Sequence, residues 1–416
     1  MKGVLVILDG IGDLPNKSLD NKTPLEAAAT PNLDFLASRG ELGVMFPVKP
    51  NFIPESDEAI VSIFGNSLIS STRGQLEARG TDLKLTRGDL ALRVNFATID
   101  NYKNGNIVDR RAGRTLTTNE AEELARALNN KIKLPYKFVF EPTIQHRAVL
   151  VFRGGFSDMI TGNDLTYFQG KSNLQNKIGF CRPEDDDENS QYTANVVNEF
   201  VEKAYEILDK HPINEERRKK GLMPANFLLV RGPGIEPPKL KIYKKWMSVA
   251  YMPLEIGFSR VSGMENFSFD YPVLESIDAY KNLYDGLRKA CKYSIKYLKK
   301  YSKKFEYAYI HIKETDLPGH DNKPLEKKEM IEYIDSTLFN FLRKFAPSRG
   351  ISIVVTADHS TPCKLKDHSA DPVPIMVYDP KNSIPKNNRF CEKEAKMGNL
   401  GKMNGNELLK KVGFVK

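Results

Sequence analysis

Cysteine is scarce in this 416-residue chain, and its four residues, Cys181, Cys291, Cys363 and Cys391, contain no C-x-x-C pair. That spacing argues against a disulfide framework, and reduced thiols fit a cytoplasmic setting. Cys363 reads as a small packed residue rather than a ligand. Long hydrophobic runs are also missing. No stretch reaches the ~18–20 apolar residues of a membrane span, and Val4–Leu8 is shorter than the ~7–15-residue core of a signal peptide. Internal repeats and long low-complexity tracts are absent. The net charge is +9, with much of the excess in the lysine-rich stretch 289–304. There Ile295, Leu298 and the tyrosines supply an apolar helix face and the lysines a solvated one. No recognised nucleic-acid-binding motif accompanies the charge, so neither a nucleic acid nor a membrane is an expected partner, while attraction for a small anionic substrate is compatible with it.

What is present is an ordinary globular composition, 40% hydrophobic and 28% charged, in a chain long enough for two or three compact domains. Val4–Leu8, Phe305–Ile312, Ile351–Thr356 and Pro374–Tyr378 read as buried strands of a parallel sheet covered by helices. Thr23-Pro24-Leu-Glu26 carries a capping box, and Thr30-Pro31 starts a second helix that ends on a glycine stop at Gly40. Strands alternating with helices predict an α/β fold. From about residue 76 to 235 shorter strands, Ala91–Ile99, Lys137–Phe140, Ala148–Phe152 and Asn226–Val230, predict a smaller inserted α/β domain. The core domain is then expected in two parts, 1–75 and 236–416. The acidic run Glu184–Glu188 reads as a disordered surface loop.

The chemistry concentrates at the predicted strand ends, where ligands bind in such sheets. Asp9 and Asp358 end two strands; Asp316 and His320 follow a third. Adding His359 and His368 gives six oxygen and imidazole donors, a set suited to two divalent cations. Two such ions can clamp a phosphoryl group and activate an oxygen nucleophile. Ser56 is the candidate nucleophile, read as the N-cap of an apolar-periodic helix whose dipole favours a phosphate. His311 reads as a packed strand residue and His211 as a helix terminus. Anion-binding candidates lie in the second region: Asp109, Arg110, Arg111 and Arg114 around a small-residue turn, then His146, Arg147, Arg153 and Arg231.

These motifs, with Asp9-Gly-Ile-Gly-Asp13, Gly88-Asp-Leu-Ala-Leu-Arg-Val-Asn-Phe-Ala-Thr98, Val108-Asp-Arg-Arg-Ala-Gly-Arg114, Asp316-x-x-Gly-His320 and Thr356-Ala-Asp-His-Ser-Thr-Pro362, resemble the archaeal-type cofactor-independent phosphoglycerate mutases of the alkaline phosphatase superfamily. The resemblance implies an alkaline-phosphatase-like core sheet with helices on both faces. It implies that Ser56 takes the phosphoryl group from 3-phosphoglycerate and returns it to the 2-hydroxyl of glycerate, without bisphosphoglycerate. One metal would be held by Asp316, His320 and His368, the other by Asp9, Ser56, Asp358 and His359. Manganese is the usual ion, with cobalt, zinc or magnesium possible. Three departures stand out. Glu55 replaces a common glycine before the nucleophile, and Thr72-Arg73-Gly-Gln-Leu-Glu77-Ala differs from the usual segment. Ile256 stands where a basic residue is common, with Arg260 the candidate substitute. A metal-dependent phosphohydrolase of the same superfamily is the alternative reading.

Overall fold

The computed structural model describes residues 1–67, 73–164, 176–274, 278–382, 386 and 388–415. Thirteen strands run through the described residues: β1 Gly3–Leu8, β2 Glu41–Phe46, β3 Leu90–Ile99, β4 Ile107–Asp109, β5 Phe138–Pro142, β6 Arg147–Phe152, β7 Phe227–Gly234, β8 Trp246–Val249, β9 Glu265–Asn266, β10 Tyr307–Ile312, β11 Ser352–Thr356, β12 Val373–Tyr378 and β13 Gly401–Asn404. Among the described residues they form two sheets. The larger has eight strands in the order β13-β2-β12-β11-β1-β10-β8-β9. β1 sits near its middle, parallel to both β10 and β11, and every one of its six residues is buried. That double burial is why Gly-Val-Leu-Val-Ile-Leu is a continuous apolar run rather than an alternating one.

The expectation of parallel pairing fails for Pro374–Tyr378. β12 lies antiparallel to β11, with Val354 opposite Val377. No helix crosses over between them. Residues 357–372 stay at the edge where β11 ends, so the next strand has to run back from that edge. Asp358, His359 and His368 all ride on this returning segment.

The second sheet pairs β4, β3, β6 and β5 in that order, with β7 on the other flank of β3, all antiparallel. β3, bordered on both sides, is buried along its whole length. Helices Thr118–Lys131 and Glu188–Asp209 close its core around Phe96, Phe140, Phe152 and Phe200. Asp187, from the acidic run, caps the second of these helices by accepting a hydrogen bond from Asn189 N at 2.7 Å. The run is thus a defined, exposed helix start rather than a disordered loop. Helix Arg73–Arg79 leads into the second sheet and packs against helix Pro253–Val261. The two approach so closely that a Cβ on Gly257 would stand 1.8 Å from the Leu76 carbonyl oxygen.

The loops that follow β1 and β11 are tied together from beneath. Lys327, on helix Pro324–Ile334, is fully buried, and its Nζ donates to Asp13 Oδ2 at 2.8 Å and to the Thr361 carbonyl at 3.0 Å. Cys363 N also donates to Asp13, and burial pushes the neighbouring Cys363 thiol up to about 12. Replacing one member of a buried pair strands the other charge. Lys327→Met is therefore expected to lower unfolding free energy by about 3–5 kcal/mol, measured by chemical denaturation.

Candidate active site

The carboxyl ends of β1, β10 and β11 carry most of the predicted ligands to one place. Asp9 follows β1 directly. Gly10, at φ +60°, turns the chain away; a Cβ there would meet Asp316 Oδ1 at 2.7 Å and Thr361 Oγ1 at 2.5 Å. Asp358 follows β11 and accepts from the backbone N–H groups of Gly10 and His359, each at 3.1 Å. Asp316 and His320 open and close a five-residue helix, an i,i+4 spacing that puts Oδ2 and Nε2 3.3 Å apart.

The six donors gather into two clusters, Asp9–Asp358–His359 and Asp316–His320–His368, each with its ligand atoms within 4.8 Å of one another. The clusters adjoin, because the His359 and His368 rings stack with centroids 3.7 Å apart. Each imidazole is oriented by its other nitrogen: His320 Nδ1 lies 3.1 Å from the Lys366 carbonyl, His368 Nδ1 3.0 Å from the Pro54 carbonyl and His359 Nδ1 3.0 Å from Thr361 Oγ1. This is the outer-shell arrangement that aims Nε2 at a metal.

The clusters fit divalent cations on their own evidence. Asp9 Oδ1 and Asp358 Oδ2 lie 3.2 and 3.5 Å from His359 Nε2. Neither contact is aligned as a hydrogen bond, and both buried oxygens lack a partner. Burial, then the adjacent Asp358 carboxylate, pushes the Asp9 carboxyl above its ordinary range, a strain a bound cation removes. Burial and neighbouring His359 take His368 down to about 3, leaving the neutral imidazole a metal needs.

Ser56 sits at the junction, buried, with Oγ 3.3 Å from His359 Nε2. It is the first residue of helix Ser56–Ile63 rather than the cap. The cap is Glu55, whose backbone N–H donates to Glu58 Oε2 at 2.9 Å, so the helix start is fixed one residue earlier. The Ser56 hydroxyl is thereby left to face the clusters.

Beyond Ser56 a cavity opens between the two sheets. Of the predicted anion binders, Arg111, Arg114, His146, Arg147 and Arg231 line it. Asp109, Arg110 and Arg153 do not. Asp109 Oδ1 accepts from Arg111 N and Gly113 N at 2.7 and 2.8 Å, shaping the turn that presents Arg111. Arg110 pairs with Asp164, and Arg153 with Asp89 and the Lys84 carbonyl. Arg260 is also absent from the lining, its guanidinium held by the carbonyls of Arg79 and Thr81. Thr72 lies outside the described residues.

Several lining residues escaped sequence reasoning. Lys313 Nζ pairs with Asp9 and lies 2.8 Å from Glu255 Oε1, deep in the site. Burial opposes its charge, but Asp9 and Glu255 hold its pKa well above the ordinary lysine value. His311, packed in β10 as read, also faces the first cluster, Nε2 being 3.5 Å from Asp358 Oδ2. A signal existed: His311 and Lys313 stand two apart at the end of β10, hence on one side of the strand. Arg73, Glu77 and Arg93 gave no such signal. They form an ion-pair chain in which Arg73 Nε and Arg93 Nε both reach Glu77 Oε1, at 2.9 and 3.0 Å.

Known proteins bear on this geometry directly. The family model described as 2,3-bisphosphoglycerate-independent phosphoglycerate mutase matches residues 37–214, and that of the Metalloenzyme superfamily matches residues 262–412. A relative from Thermococcus kodakarensis bearing that mutase name is 41% identical over 98% of this chain and 95% of its own. The chain belongs to the 2,3-bisphosphoglycerate-independent phosphoglycerate mutase family. Among solved structures, a Pyrococcus horikoshii protein superposes with a TM-score of 0.73 at 32% identity, covering 99% of this chain and 96% of its own. The cofactor-independent phosphoglycerate mutase of Thermoplasma acidophilum does so with a TM-score of 0.55 at 30% identity, over 100% and 99% of the two chains. The Metalloenzyme match spans both sides of the second cluster, from Asp316 to His368, as well as Asp358 and His359 of the first.

If each cluster holds one cation, calorimetric titration with Mn²⁺ should give two equivalents for the wild type. Asp316→Ala should lose one of them and keep the other, whereas loss of both or of neither would contradict separate sites.

Proposed function

We propose that this protein interconverts 3-phosphoglycerate and 2-phosphoglycerate through a phosphoserine at Ser56, without bisphosphoglycerate. The observation that carries the reading is Ser56 Oγ at the meeting point of two metal-ligand clusters, open to an arginine-lined cavity. The names of the full-length relatives favour a mutase over a phosphohydrolase. Asp316, His320 and His368 would hold one divalent ion, and Asp9, Ser56, Asp358 and His359 the other, Mn²⁺ first with Co²⁺, Zn²⁺ or Mg²⁺ as alternatives. Bound there, such ions lower the pKa of a serine hydroxyl and screen phosphoryl charge.

Ser56 Oγ attacks phosphorus, forming the Oγ–P bond as the bond from phosphorus to the 3-oxygen of glycerate breaks; that oxygen takes up a proton. The 2-hydroxyl of the retained glycerate then attacks the same phosphorus, gives up its proton and releases Ser56. Lys313, cationic between Asp9 and Glu255, offsets the charge of the transferring group. Arg147 suits the glycerate carboxylate: its Nε is buried without a partner and its Nη1 meets only Met252 Sδ, at 3.6 Å. His146, kept neutral by burial and the surrounding arginines, has Nδ1 unpartnered and suits a hydroxyl.

Retention of glycerate requires the cavity to exclude water, which would otherwise hydrolyse the phosphoserine. Two contacts support closure. Arg114 pairs with Asp321, itself bonded by Tyr280 OH at 2.8 Å, and Gln145 Nε2 donates to Asn282 Oδ1 at 3.0 Å. Both join the side carrying the second sheet (76–235) to the side carrying the clusters (1–75 and 236–416), read as two domains. A small phosphorylated acid is the partner and the cytoplasm the expected location, in keeping with four buried free cysteines.

Phosphorus NMR of manganese-loaded protein with 3-phosphoglycerate, bisphosphoglycerate omitted, should show 2-phosphoglycerate with little free phosphate. Ser56→Ala should reduce turnover by about 10³-fold or more; free phosphate as the main wild-type product would overturn the mutase reading. Asp321→Ala, which releases Arg114, should raise the fraction of turnover ending as free phosphate in the same spectra.

A further inference from the structure

Glu55 stands immediately before Ser56 and sends its side chain into the cavity. Its Oε2 lies 3.0 Å from Arg73 Nη1 and 3.4 Å from Arg231 Nη1, so one carboxylate oxygen bridges two guanidinium groups brought from different elements. The other oxygen, Oε1, is 3.8 Å from His368 Nδ1. Among the acids paired with Arg73, Glu55 differs in accessibility. Its side chain is 29% exposed, against 10% for Asp57 and 4% for Glu77.

Those numbers separate two roles. Asp57 and Glu77 are enclosed and hold Arg73 at 2.9 Å each, so Arg73 stays compensated if Glu55 leaves. Glu55 faces the cavity, its longer contact is to Arg231, and its backbone is held independently by Glu58. Only the side chain has to rotate for the bridge to open. An anionic group arriving beside Ser56 meets a cationic pair already occupied by a carboxylate. It can use that pair only by displacing the carboxylate, or by accepting its repulsion.

We propose that Glu55 is a specificity-determining residue: an internal anion on the Arg73–Arg231 pair that an entering phosphate-bearing substrate must displace. Small anions with few other contacts, inorganic phosphate among them, cannot offset that displacement and are rejected. A phosphoester with a second anionic group gains contacts elsewhere in the cavity and is admitted. The inference rests on the reading of the cavity as a phosphoester site, and not on which phosphoester it is.

The test is calorimetric titration of the manganese-loaded protein with inorganic phosphate, for wild type, Glu55→Gln, Arg231→Met and the double variant, beside steady-state kinetics with 3-phosphoglycerate. Removing one negative charge a few ångströms from the anion should tighten phosphate binding in Glu55→Gln by about tenfold or more, with a fall in KM. In the Arg231→Met background the same substitution should gain less than about threefold, because the displaced contact is gone. A residue that only braces the loop would instead weaken phosphate binding and lower kcat, and unchanged or weaker phosphate affinity in Glu55→Gln overturns the proposal. So does a full gain without Arg231. Should Glu55→Gln fail to fold, Glu55→Ala carries the same expectations. Phosphate titration needs no turnover, so a tightened Glu55→Gln in a protein that does not isomerise phosphoglycerate removes the substrate and leaves Glu55's role standing.

Discussion

Carboxylates buried close together at one sheet edge are the constraint around which the rest of this molecule is arranged. Asp9 and Asp358 are almost wholly enclosed and face one another across the ends of adjacent strands. An isolated buried carboxylate is costly, and two in contact more so, unless positive charge is supplied at short range. The fold supplies it with Lys313 from the end of β10, and sets the imidazoles of His311, within β10, and His359, in the loop after β11, within 3.5 Å of these carboxylates. Even so, oxygens remain without partners, and the donor set that remains is one a divalent cation completes.

The same logic of compensation governs the cavity. Its wall carries several arginines, and most face an acid: Arg73 and Arg93 share Glu77, Arg114 meets Asp321, and Arg231 meets Glu55. Arg147 is the exception, buried with its Nε unpartnered among the described residues and its Nη1 against Met252 Sδ. If the cavity takes a phosphoester as proposed, each incoming charge either finds the underused donor or competes with a resident carboxylate, which favours selective over indiscriminate anion binding. The buried lysine beneath, Lys327, plays the corresponding part for the backbone by pinning the loops after β1 and β11 to one helix.

Fold and chemistry were legible to different depths. Strands buried on both faces advertise themselves as apolar runs, and an acid at the end of such a run marks the edge where a site forms. That is how Asp9 and Asp358 could be found, and the Asp316/His320 spacing was readable for the same local reason. His311 was read as packed, and it is; its second role depends on which strands flank β10, a fact with no local signature. Glu255, Glu77, Arg73 and Arg93 lie on helices or strands whose patterns look like ordinary amphipathic elements, so their convergence was invisible before the sheets were assembled.

Local chemistry, by itself, determined the nature of this protein: short-range patterning set the strands and helices, and the donor types at strand ends set a metal-assisted phosphoryl chemistry. Tertiary structure decided the pairing. It made β12 antiparallel, turned Arg110 and Arg153 to structural ion pairs, and brought Lys313 into the site. The physical reason is range. Propensity and periodicity act over a few residues, whereas an ion pair forms between whichever charges the fold places within a few ångströms, and here those partners lie as far apart in sequence as Asp9 and Lys313.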